Sequence, residues 1–452
     1  MAFVAHPVLQ LPLHVVAVVL SKLDTIQQLG PVILSHRIFL DSFNDSLHSV
    51  ARNIIINQIS AETSPLAFAL LEPTRIKNGD YDAVCDLLTR LETASETKDA
   101  SSRFLPRLSM SDYNFLSRNY AAAEFLGKSL ANEVIPIATD RLALNRLSLE
   151  VTPRESCRLN KAFLRYQLMC NLLCSDEDDE ELSVDDGNNL RLLFFSKFSP
   201  WVNEQLSCIH TYLERKVAEA FDEFVAHDVE YGEMPINWSS DMIECSHVQW
   251  FLSQGLPLLS SVVRAKSYSE RVHIFHLNNL RVREWKYEPD QQLAFMVPQD
   301  SLLEPLGLGS IDASLDSYTE EQLDQLARPS DGAQDSADSS PFRVWQAAHA
   351  TNSIFDSIQS PRDRNLHECG YVLWDYADIS AADLREGCNS VRSEPPHFQQ
   401  RLRDSWSDED LLRSQEQRTE IYFSGGTGYW PRNSFDFSGI RGLSEEKKKK
   451  LL

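Results

Sequence analysis

A mainly α fold, with an N-terminal three-helix cap followed by an irregular all-helical body, is predicted by three observations. Capping residues mark three helix starts, apolar residues recur at spacings of three and four over long stretches, and no segment repeats with the period of a solenoid. Residues 8–60 form the cap. Leu11 and Pro12 open a stretch in which Val15, Val16, Val19, Leu20 and Leu23 share a helix face, and Asp24 breaks it. A second apolar set, Ile26, Leu29, Val32 and Ile33, then Ile38 to Phe43, is cut by Gly30 and Pro31. Two further short helices are therefore expected before residues 50–59 close the cap.

Residues 61–306 continue as the helical body. Asp80 can accept the free amides of a helix whose apolar face is Val84, Leu87, Leu88 and Leu91, and residues 95–102 form a polar connector. Tyr113, Leu116, Tyr120, Ala123, Leu126 and Leu130 keep helical spacing until Pro136 interrupts them. The strongest start is Thr152, Pro153, Arg154 and Glu155, where the hydroxyl and the carboxylate satisfy amides from both directions and proline occupies the first turn. Its buried stripe is expected to be Leu159, Phe163, Tyr166, Cys170 and Leu173. Residues 175–189 then form an acidic loop, because like charges at 176–181 repel one another. A calcium site there lacks the alternating ligands and mid-loop glycine of a helix-loop-helix calcium motif.

Leu190 to Phe198 resume the core, and Ser199 with Pro200 caps a long helix lined by Trp201, Leu206, Ile209, Tyr212, Leu213, Val217 and Phe221. Ser267 and Glu270 make a further capping box, for a helix reaching about residue 280. Residues 307–341 turn Asp-, Ser- and Gly-rich, interrupted by a short helix signal at Thr319, and are expected to be a flexible linker. Residues 342–440 are a mixed segment packing back on the body, and residues 441–452 a solvated basic tail ending in Lys447 to Lys450 and two leucines.

Charge excludes one class of function. With 43 Lys and Arg against 66 Asp and Glu, the net charge is −23, unsuited to a long phosphate-binding surface, so no nucleic-acid partner is expected. No stretch is long and apolar enough for a membrane span. Residues 1–21 contain no charged side chain, but they also lack the cationic start of a signal peptide, and Pro7, Gln10, Pro12 and His14 interrupt them. The eight cysteines, Cys85, Cys157, Cys170, Cys174, Cys208, Cys245, Cys369 and Cys388, are scattered with no CxxC pair and suggest reduced thiols in an intracellular protein, cytoplasmic or nuclear. Cys170 and Cys174, one helical turn apart, are expected as small buried apolar residues.

Candidate chemistry is sparse. Gly425, Gly426, Thr427 and Gly428 lack the Lys-Ser/Thr of a phosphate cradle and are expected to be a loop leaving a helix. His227, Asp228 and Glu230 could bind a metal or form an acid–base pair, with a hydrogen-bonded interhelical cluster as the plainer alternative. His273 and His276 lie three apart without the glutamate of a zinc-protease motif, and no serine sits in a nucleophile elbow. No enzyme activity and no cofactor or metal are expected; a cryptic metal-dependent hydrolase on His227, Asp228 and Glu230 stays as the weakest alternative.

Leu11 and Pro12, the aliphatic helix after them, and Leu34, Ser35, His36, Arg37, Ile38 and Phe39 resemble an F-box over residues 10–50, with His14 where the family often has an acid and His36 where it often has cysteine. The stretches KAFLRYQLMCNL at 161–172, SPWVNEQL at 199–206, AHDVEYGE at 226–233 and GYVLWD at 370–375 are similar to filamentous-fungal proteins with F-box-like N-termini. The resemblance implies a non-catalytic substrate receptor that docks a Skp-type adaptor of a cullin-RING ubiquitin ligase and presents an unknown protein substrate. Leu11, Pro12, Val15, Val16, Val19, Leu20 and Leu23 are the candidate adaptor contacts. The alternative is a structural or interaction protein whose N-terminal helices only complete its own fold.

Overall fold

Helix follows helix from Leu13 to Leu451 in the computed structural model, and the mainly α expectation is met. The structure describes residues 11–76, 80–96, 108–142, 150–174, 184–231, 246–277, 315, 318–331, 335, 339–350, 361–376, 380–391, 408–431 and 436–451. The expected connector beyond residue 96, the acidic residues 175–183, Cys245 and residues 278–314 lie outside them.

The cap contains α1 (Leu13–Leu20), a 3-10 turn (Ile26–Gln28), α2 (Leu29–Ser35) and α3 (Arg37–Gln58). Gly30 and Pro31 do not cut α2. Pro31 falls in its first turn, where its missing amide has no helical partner to lose. The two segments expected across residues 38–59 are one helix, bent where Ser46 leaves helical geometry at φ −128° and ψ 26°. His36 takes a specific task, its Nδ1 accepting from the Ile38 amide at 3.2 Å to cap α3.

The body opens with α4 (Ser64–Ala69) and α5 (Tyr81–Glu96), whose start is capped as expected by Asp80, accepting from the Ala83 amide at 3.1 Å. The 32-residue α6 (Met110–Arg141) runs through Pro136 instead of stopping. Pro136 and Asn132 both face solvent, so water can take the carbonyl that proline leaves free, while buried Val134, Ile135 and Ala138 hold the other side. The Thr152–Glu155 capping box opens α7 (Pro153–Leu173) as predicted. A single apolar stripe understates α7: Arg158, Asn160, Lys161, Arg165 and Gln167 are buried as well, because the helix is surrounded on all sides.

The acidic loop ends earlier than expected, since α8 (Val184–Ser196) takes in residues 184–189. Then come α9 (Pro200–His227), α10 (Ser246–Ser253), α11 (Leu256–Arg264) and α12 (Tyr268–Leu277). Trp201, Leu206, Ile209, Tyr212, Leu213 and Val217 of α9 are buried as expected. The Ser267–Glu270 box is formed, with the Ser267 amide on Glu270 Oε2 at 3.1 Å.

The expected linker is where sequence and structure part. Thr319 caps α13 (Glu320–Asp324) as predicted, but Leu315, Leu323, Leu326, Asp331 and Asp335 are buried, so these five residues of 307–341 are built into the body, while residues 319–322, 324 and 325 are exposed. Beyond them lie α14 (Ser340–His349), α15 (Pro361–Glu368) and α16 (Ala381–Val391). One apolar cluster extends from Val16 to Cys388, and the central α9 packs on α7, α10, α11 and α15.

A second, smaller cluster of Val229, Ile421, Trp430 and Ile440 holds the C-terminal elements. These are α17 (Asp408–Phe423), β1 (Thr427–Gly428), its antiparallel partner β2 (Ile440–Arg441) and α18 (Glu445–Leu451). Gly425 leaves α17 at φ +88°, its amide returning to the Tyr422 carbonyl at 2.8 Å, which makes the glycine run a helix exit. The basic tail is helical rather than loose. Glu445 and Glu446 occupy its first turn and lysines its last, matching the helix dipole, and Lys447 Nζ donates to the Ser424 carbonyl at 2.6 Å.

Candidate functional site

The N-terminal helices carry two apolar faces. Helix α1 has no charged residue, and its inner side places Val16, fully buried, with Ala17 and Leu20 against the core. Its outer side leaves Val18 59% and Val19 50% exposed, and Leu34 at the end of α2 is 82% exposed. Leu11, Leu13 and Leu40 are exposed too. Ser42 Oγ donates to the Leu13 carbonyl at 2.7 Å, and Asn57 Nδ2 to the Ser21 carbonyl at 3.0 Å, so α1 lies along α3 in the same direction. Leu11, Leu13, Leu34 and Leu40 therefore gather at the end of the cap where α3 begins.

The cap is fixed to the body by polar contacts as well as packing. The Ile26 amide donates to Ser117 Oγ at 3.1 Å, and Gln58 Nε2 donates to the Ser117 carbonyl at 3.1 Å. Of the expected adaptor contacts, Leu11, Pro12 and Val19 are exposed, Val15 and Leu23 are half-buried, and Val16 and Leu20 are committed to the chain's own core. Those last two are unavailable to a partner docked on this face. Leu13, Val18, Leu34 and Leu40 are exposed apolar residues beyond the seven expected contacts. The signal for α1 was present: valines at 15, 16, 18 and 19 make the helix apolar all round, which one buried side cannot use up.

The other candidates resolve into joints. Helix α9 ends at His227, so Glu230 sits in a separate 3-10 turn instead of on a shared helix face. Asp228 is buried, accepting from Tyr268 Oη at 2.7 Å and from the Glu230 amide at 2.9 Å, while its carbonyl accepts from Arg418 Nη1 at 3.0 Å. His227 stacks on Tyr429 with ring centroids 4.6 Å apart, and the Trp430 amide donates to its carbonyl at 2.8 Å. The cluster thus joins the C-terminal elements to α9 and α12. His273 is exposed, and the His276 side chain lies outside the described residues. Among the described residues no group of three His, Cys, Asp or Glu is placed to hold a metal, and no helix is long and apolar enough to cross a membrane.

Unexpected polar chemistry lies in the core. Arg158 Nε donates to Asp335 Oδ1 at 2.9 Å, its Nη1 to the Leu373 carbonyl at 3.0 Å and its Nη2 to Asp375 Oδ1 at 3.0 Å. Glu155 adds a second task to its cap, accepting from the Asp375 amide at 2.8 Å. Glu204 on α9 bonds His349 Nε2 at 3.1 Å and His367 Nε2 at 2.5 Å, drawing the ends of α14 and α15 together. Burial by itself raises the Glu204 carboxyl, but the charge of His367 and the hydrogen bonds from both rings outweigh it and hold the group well below the usual carboxylate range.

Asp331 shows the opposite balance. Burial dominates over the amides of Arg328 and Ser199, and pushes its carboxyl from 3.8 up to about 6. The folded chain consequently binds more protons than the unfolded chain between these values. Its contribution to stability is full below pH 3.8 and is lost as pH rises through 6, a swing of up to ~3 kcal/mol. Thermal melts of wild type and Asp331→Asn should show the wild type gaining on the variant as pH falls from about 7 to about 4; parallel profiles would contradict the assignment.

The architecture defines a mainly α protein with apolar side chains that no described residue covers on an anchored N-terminal cap. No protein-family model, curated protein or solved structure matches the chain.

Proposed function

We propose that the chain is a non-catalytic, F-box-like substrate receptor that docks a Skp-type adaptor of a cullin-RING ubiquitin ligase through its N-terminal cap, in the cytoplasm or nucleus. The observation that carries this reading is the outer face of α1 with Leu34: large apolar side chains that no described residue covers, on helices whose opposite face is built into the core. Burying such a side chain contributes ~1.5–3 kcal/mol, so a few of them suffice to seat a partner helix. Anchorage of the cap to Ser117 favours a preorganised surface, which reduces the ordering cost of association.

The test is co-purification with a Skp-type adaptor. Wild type should retain it at micromolar concentration, and the double substitution Val19→Asp with Leu34→Asp should abolish retention while leaving the melting temperature close to wild type. Val16→Asp, at a fully buried position, should unfold the chain and serves as the contrast. A wild-type chain that holds no adaptor defeats the proposal. The rival reading, a cap that only completes its own fold, draws on the burial of Val16, Leu20 and Leu29; it expects the double variant to change neither binding nor stability.

A further inference from the structure

Helix α7 ends on two thiols one turn apart, and the fold treats them differently. Cys170 is 2% exposed, with its Sγ donating to the Leu252 carbonyl of α10 at 3.6 Å. Cys174 is the C-cap of the helix and is half-buried. The expectation of two buried apolar thiols therefore holds for Cys170 and not for Cys174. Burial, and after it the hydrogen bond between the two side chains, pushes the Cys170 thiol well above its ordinary range. Thiolate rather than thiol attacks an oxidant, so Cys170 is inert toward one and also out of its reach. Cys174 is the member of the pair that a small oxidant meets first.

Helix geometry allows the two sulfurs to bond only at such a terminus. Residues four apart in a helix rise by about 6 Å, inside the roughly 4.4–6.8 Å that a disulfide sets between Cα atoms. Their Cβ atoms stand about 5–6 Å apart on a regular helix, too far for the roughly 3.5–4.5 Å of a disulfide. Cys174 escapes this limit because it has already left helical geometry, at φ −110° and ψ 81°. Rotation about its N–Cα bond can carry the Cβ while its amide stays on the Cys170 carbonyl, 3.0 Å away.

We infer that Cys170 and Cys174 form an oxidation site, a solvent-reachable thiol and its buried resolving partner, that closes a disulfide at the C-terminal end of α7. The oxidant is hydrogen peroxide. The Cys174 sulfur attacks one peroxide oxygen, the O–O bond breaks, and a sulfenic acid and water form. The Cys170 sulfur then bonds to the Cys174 sulfur, the S–O bond breaks, and the Cys170 proton leaves with the hydroxyl as a second water. Two thiols have thereby given two electrons to one peroxide. The Leu252 carbonyl loses its Cys170 donor and keeps Tyr166 Oη at 3.3 Å, so the redox state of the pair reaches the contact between α7 and α10. The inference is independent of the adaptor proposal.

The experiment treats the full chain with hydrogen peroxide, then alkylates, digests and weighs it by mass spectrometry. In wild type the peptide holding both residues should lose the mass of two hydrogens, and dithiothreitol should restore it. Cys174→Ser should prevent the loss, and Cys170→Ser should halt the chemistry at a Cys174 sulfenic acid that dimedone traps. In the untreated, folded wild type, iodoacetamide should label Cys174 at least tenfold faster than Cys170. A wild-type peptide that keeps its full mass, a bond from Cys174 to another cysteine or to a second chain, or equal labelling of the two thiols overturns the site.

Discussion

Replacing Arg158 by alanine is expected to lower the free energy of unfolding by roughly 3–5 kcal/mol, measured by urea denaturation followed by circular dichroism. The guanidinium is almost wholly buried and ties α7 to two other parts of the chain, Asp335 and the turn that carries the Leu373 carbonyl and Asp375. Alanine removes all of these contacts and leaves the buried Asp335 carboxylate to Gln205 Nε2 at 3.1 Å and Arg165 Nη2 at 3.9 Å. Much of the loss arises from that under-compensated charge rather than from the worth of the pair. In a double-mutant cycle Asp335→Ala should accordingly cost less in the Arg158→Ala background than in wild type, and additive losses would refute this account.

Trp201→Ala should cost ~3–5 kcal/mol by the same measurement. The indole is fully buried between Phe342 and Trp345, with ring centroids 4.9 Å and 5.7 Å away, and its Nε1 donates to the Asp335 carbonyl at 2.7 Å. Two effects can be separated. Trp201→Phe keeps much of the apolar contact but leaves the buried carbonyl without its donor, a loss of about 1–3 kcal/mol. A phenylalanine variant as unstable as the alanine variant would mean that ring size, not the hydrogen bond and general apolar filling, governs this position.

The starts of α5, α7 and α12 are legible in their caps because a cap is a local contract between neighbours: Asp80, Thr152 with Glu155, and Ser267 with Glu270 each satisfy amides within three residues. The side-chain cap expected of Ser199 at α9 is not formed, and the Ser199 amide is held instead by Asp331, 132 positions later. Proline is less decisive than its local chemistry suggests. Pro31 and Pro136 both look like breaks in the sequence, yet one sits in a first turn and the other on a solvent face, and which of these applies depends on surroundings that spacing does not carry. The candidate docking residues divide for a related reason. Seven apolar residues at helical spacing announced a helix, but not which side of it the body would claim, and the exposed Leu34 lies on another helix altogether.

Composition misled most at residues 307–341. Asp, Ser and Gly are ordinarily solvated, and nothing within a short window around Asp335 reveals that Arg158, 177 positions earlier, waits for its carboxylate. The helical class, most of the capped starts, the acidic net charge and the apolar character of the N-terminal helix are written in the chain locally, because they follow from composition and from interactions a few residues apart. That α7 is enclosed on every side, that Leu315, Asp331 and Asp335 of a polar segment are buried, and that Val18 and Val19 of α1 stay exposed are set by the fold. Burial and ion pairing depend on which distant segments meet, and a buried charge is tolerated only where a partner from elsewhere in the chain arrives to neutralise it.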